Sequence, residues 1–68
     1  MENKEEFKEF LKNEAESLTK KVKDIEVKMT NILTKQGLSA LGKINKLNHE
    51  KELLNSQIFK LYELIGKL

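Results

Sequence analysis

The chain has no cysteine, no proline, no tryptophan and no arginine, and only three glycines in 68 residues. Each absence excludes something. Without cysteine there is no disulfide staple, and a structural zinc site loses its usual ligands. Without arginine the chain lacks the side chain that reads phosphate and guanine bidentately. All thirteen basic residues are lysines. No run approaches the roughly 20 apolar residues of a membrane span. The charged stretch Met1-Glu2-Asn3-Lys4-Glu5-Glu6 has no apolar segment behind it, so no secretory signal is expected and the expected compartment is the cytoplasm.

What is present is charge and heptad-spaced apolar residues. A chain of this length forms one small domain, burying only about 60% of the surface its unfolded form exposes. Small folds without disulfides or metals are usually completed by oligomerisation or by a partner. Lysine and glutamate suit solvated helix faces.

The first apolar series is Leu11, Ala15, Leu18, Val22, Ile25, Met29 and Ile32. Its steps alternate between four and three residues, which is a heptad seam. The second series, Ala40, Ile44, Leu47, Lys51, Leu54, Ile58, Leu61, Ile65 and Leu68, keeps that alternation with Lys51 as its one charged member. Both series predict long helices, each about 30 residues and roughly 45 Å. The expected boundaries are helix 1 over 4–36, a turn over 37–39 and helix 2 over 40–66.

Local signals agree with this division. Asn3 followed by Glu6 reads as a capping box. Gly37 suits the left-handed position after a helix, Leu38 the apolar contact that accompanies it, and Ser39 the cap of the next helix. The predicted fold is all-α: an antiparallel two-helix hairpin, coiled-coil-like, that dimerises into a four-helix bundle. Phe7 then meets Leu68, Ile32 lies near Lys43 and Ile44, and Asp24 falls opposite Lys51.

With Val22 and Ile44 placed at heptad position a, several apolar residues fall outside the seam. Leu33, Leu41 and Tyr62 take e positions, with Phe59 beside them at b. They form the predicted dimer interface. The opposite flank, at g and c, carries Phe7, Phe10 and Leu64 at the open end, with Leu53 further in. Phe7, Phe10 and Leu64 form the predicted site for a protein partner. Charge is polarised as well: residues 1–16 hold six acids against three lysines, and residues 17–48 hold seven lysines against Asp24 and Glu26.

No chemistry-bearing constellation stands out. His49, the one histidine, falls at f, and Glu50 and Glu52 do not share its face. Ser17, Ser39 and Ser56 lack triad partners, and no glycine-rich phosphate loop occurs. The expectation is a non-enzyme with no cofactor and no metal. The lysines at positions 20, 21, 23, 28, 35, 43 and 46 could touch phosphates, but no aromatic or arginine is interleaved with them.

The size and two-helix layout resemble the ROP-type RNA-binding bundle, a dimer of helical hairpins. The resemblance is architectural, implies a homodimer and transfers no residues. The stretch Val22–Leu54, with Lys35-Gln36-Gly37-Leu38-Ser39 at its turn, also resembles the small sporulation aspartyl-phosphate phosphatases, which are helical hairpins too. Their Ser-Gln-Glu-Leu-Asp motif has no counterpart. The nearest segment, Asn48-His49-Glu50-Lys51-Glu52, keeps only the glutamate, so that activity does not carry over. The function expected is a small regulatory or adaptor protein that binds a protein partner through helix–helix contacts. Inhibitors and adaptors of phage, plasmid or bacterial origin are often built this way, an analogy at fold level. A ROP-like RNA-binding homodimer and a structural assembly subunit are the alternatives.

Overall fold

The computed structural model describes residues 2–68. It contains helix α1 (Glu2–Gln36), a 3₁₀ turn (Gly37–Ala40) and helix α2 (Leu41–Lys67), with no strand among the described residues. The longest dimension is 54 Å, close to the roughly 52 Å that α1 alone requires. A continuous helix from Glu2 to Lys67 would reach about 100 Å. The chain therefore doubles back, and α1 and α2 lie side by side in opposite directions. Glu26 of α1 reaches Lys51 of α2 at 3.7 Å.

Gly37 is where the direction changes. Its φ of +61° is the one positive value among the described residues. An L-residue with a Cβ resists that conformation, whereas glycine adopts it freely and ends the helix there. The side chain of Ser39 donates to the Gln36 carbonyl at 2.7 Å. The serine therefore satisfies an acceptor at the end of α1. It does not cap α2, whose N-cap is Ala40 with no side-chain hydrogen bond. Leu38 is 79% exposed, so the apolar contact expected to close the turn is not made. Lys43 Nζ lies 3.5 Å from Gln36 Oε1 across the turn.

The helix limits differ from expectation by a residue or two, as helix ends commonly do. Helix α1 already includes Asn3, so the Asn3/Glu6 pair does not mark its start. The turn extends through Ala40, which is nearly fully buried. Helix α2 starts at Leu41 and runs through Lys67. Lys51 pairs with Glu26 and not with Asp24. Glu26, at e, borders the seam and has the longer side chain; Asp24, at c, is a step further away and shorter.

Burial follows the heptad. Leu11, Ala15, Val22, Ile25 and Ala40 are the buried apolar residues, and the remaining seam positions are half-buried. Helix α2 contributes no buried residue. The reason is geometric: two helices make a core only one layer deep, so most seam side chains keep one edge in solvent, and burial among the described residues is confined to Leu11, Ala15, Val22 and Ile25 of α1 and Ala40 of the turn. Outside the two apolar series Lys8, Thr19, Gly37 and Asn48 are half-buried. Thr19 Oγ1 donates to the Ala15 carbonyl at 2.8 Å, which satisfies its hydroxyl within α1.

Candidate protein-docking surfaces

The most telling feature of the hairpin is what it leaves outside. Phe7, Phe10, Phe59 and Tyr62 are all the aromatic residues of the chain, and each is exposed. Aromatic side chains bury about 150–250 Å² each and usually dominate the cores of small proteins. Here the core is aliphatic and the aromatics face outward.

The seven predicted surface residues are all exposed, from 47% for Leu64 to 66% for Phe59. None of them has been absorbed into the seam. The heptad sets them on two flanks. Leu33, Leu41, Phe59 and Tyr62 share the e/b flank, and Phe7, Phe10 and Leu64 share the g/c flank with exposed Leu53. The accessible surface totals 5511 Å², roughly a quarter above the about 4,400 Å² of a compact monomer of this mass. The radius of gyration is 15.8 Å, against about 11 Å for a compact domain of this length. The surplus is the elongated, one-layer shape with its apolar flanks uncovered.

On the e/b flank the structure adds a relief that periodicity alone does not show. Glu26, Met29, Thr30, Leu33, Ile44 and Lys51 line an open groove of about 270 Å³. Its floor is the seam pair Met29 and Ile44, and the Glu26–Lys51 ion pair stands at the end away from the turn. Leu33 is the one predicted interface residue that lines it. Lys51 is the one charged member of the α2 series, and its head turns toward Glu26 at this end of the groove.

Two exposed apolar residues escaped the face assignment. Val27 is 59% exposed at the outward f position, and Leu38 stands at the turn tip. Neither repeats at a heptad interval with another apolar residue, so periodicity gives no signal for them.

Charge around these surfaces follows the sequence. The lysines at 20, 21, 23, 28, 35, 43 and 46 are all exposed on the turn half of the hairpin. Among the described residues no group of three or more His, Cys, Asp and Glu side chains is arranged to hold a metal ion. No helix of the described residues is long and apolar enough to cross a membrane. No family model matches this chain, and no curated protein or solved structure is significantly similar to it.

Proposed function

We propose that this chain is a non-enzymatic regulatory or adaptor protein that acts by binding another protein through helix–helix contacts. Its working unit is a homodimer in which two hairpins form a four-helix bundle. The observation that carries this reading is the exposure of all four aromatics on a chain whose buried core is wholly aliphatic. Apolar flanks of this extent are costly to leave in water and mark interaction surfaces. Two flanks allow two uses. The e/b flank, with Leu33, Leu41, Phe59 and Tyr62, joins the two copies. The g/c flank, with Phe7, Phe10 and Leu64, stays open for the protein partner.

The bundle architecture supports this division. A hairpin supplies two helices with one covered stripe, and a second hairpin covers the adjacent stripe on each. A face 54 Å by 14 Å is on the scale of the roughly 800 Å² per partner that specific interfaces bury. The direct test is the mass in solution, followed by partner capture with Phe7 and Phe10 both changed to serine. A dimer that loses its partner but keeps its mass supports the reading. A monomer at tens of micromolar, or capture unaffected by the double change, contradicts it.

The exposed lysines on the turn half support a second reading, an RNA-binding homodimer of ROP-like layout. Salt separates the two. Phosphate binding releases counterions and weakens steeply as salt rises, whereas an aliphatic and aromatic helix interface does not. Capture that survives nuclease and moderate salt assigns the protein partner.

A further inference from the structure

We propose that the groove lined by Met29, Thr30, Leu33 and Ile44 is the seat for Phe59 of a second copy, which makes the dimer antiparallel, with the two turns at opposite ends. This rests on the homodimer reading above and adds to it a contact and an orientation. Helix rise provides the first argument. Measured from the middle of the turn, Leu33 and Ile44 lie about 8 Å away and Glu26 and Lys51 about 19 Å away. Phe59 lies about 31 Å away. Two hairpins that overlap antiparallel along about 45 Å bring a point 31 Å from one turn to about 14 Å from the other. That is the middle of the groove. A parallel pair sets groove against groove and Phe59 against Phe59, and neither hollow is filled.

Three further observations agree. Phe59 sits on the same e/b flank as the groove, so one face-to-face contact satisfies both copies at once, as a two-fold interface requires. The groove volume, about 270 Å³, exceeds the roughly 150 Å³ that holds a benzene ring. Charge also favours the orientation. The lysine-rich turn half of one copy lies beside the open end of the other, where residues 1–16 carry twice as many acids as lysines. Parallel pairing would stack the two lysine-rich ends.

The absence of cysteine makes the test clean. Thr34 is exposed on the outer f face, so a Thr34→Cys variant can carry one spin label per chain without entering the interface. In an antiparallel dimer the two labels are more than about 35 Å apart; in a parallel one they are within about 25 Å. A double-mutant cycle then tests the contact. Phe59→Ala and Leu33→Ala each raise the dimer Kd at least about tenfold, as truncated interface anchors do. Their combination raises it much less than the product of the two. Val27→Ala, on the outer face, changes it less than about twofold. Circular dichroism on each variant checks that the helices persist, which the exposure of Phe59 predicts. A monomer at tens of micromolar overturns the dimer and this inference together. A dimer with short label distances overturns the orientation alone. Long distances with independent effects of the two truncations overturn the Phe59 seat and leave the antiparallel dimer standing.

Discussion

Glu26 Oε2 stands 3.7 Å from Lys51 Nζ, joining α1 to α2 across the edge of the seam. Glu26 is 54% exposed and Lys51 25% exposed, so solvent screens the pair. Exposed ion pairs contribute about 0–1 kcal/mol. Lys51 nonetheless occupies a position where every seam neighbour on α2 is aliphatic. The pair is a weak contributor to stability placed where packing would be stronger.

Lys51→Leu is accordingly expected to stabilise the hairpin by about 1 kcal/mol, because buried CH₂ groups replace a partly desolvated charge. The melting temperature rises by roughly 4–8 °C for a chain this small. Glu26→Gln alone changes it by less than about half of that. Thermal unfolding followed by circular dichroism measures both. A fall in stability for Lys51→Leu would show that the ion pair outweighs the packing.

The turn makes a paired prediction on two glycines. Gly37 holds φ +61°, so Gly37→Val is expected to destabilise by about 1–2 kcal/mol or more. Gly42 lies inside α2, and a Cβ built there meets nothing within 4 Å. Gly42→Ala is expected to stabilise by about 0.5–1 kcal/mol. Opposite signs in two glycines five residues apart would separate backbone conformation from mere flexibility. Equal signs would contradict the turn geometry.

Much of this architecture was legible in the periodicity. The four-three alternation through Leu11, Ala15, Val22 and Ile25 identifies the residues that are buried, and Gly37 announces the reversal. What escaped reading depends on atoms outside that pattern. Ser39 had an equally good acceptor behind it, the Gln36 carbonyl, and donates there. Leu38 stands in solvent, and the 3₁₀ turn directs Ala40 inward instead. Asp24 and Glu26 are equally acidic in sequence, and only reach and flank decide which meets Lys51. The seven surface residues are exposed, in keeping with heptad positions outside the seam. The groove beside Leu33 could not be seen, because it is a hollow between side chains of the two helices and not a residue.

Seam and surface should respond oppositely to truncation. Leu11 is 4% exposed, and Leu11→Ala is expected to cost about 2–5 kcal/mol by opening a cavity. Phe7 and Phe10 lie one turn and one residue away, both exposed. Changing both to serine is expected to leave the melting temperature within about 4 °C while abolishing capture of the protein partner. A large fall in melting temperature for the double variant would make these rings structural and remove the g/c flank as a binding surface.

The mass of the native chain in solution, read by sedimentation equilibrium at tens of micromolar, decides most directly whether two hairpins pair. The expected result is a species of twice the 7.9 kDa chain mass, dissociating on dilution and shifted toward the monomer by Phe59→Ala. A single species of 7.9 kDa at that concentration, unchanged by the substitution, would contradict it.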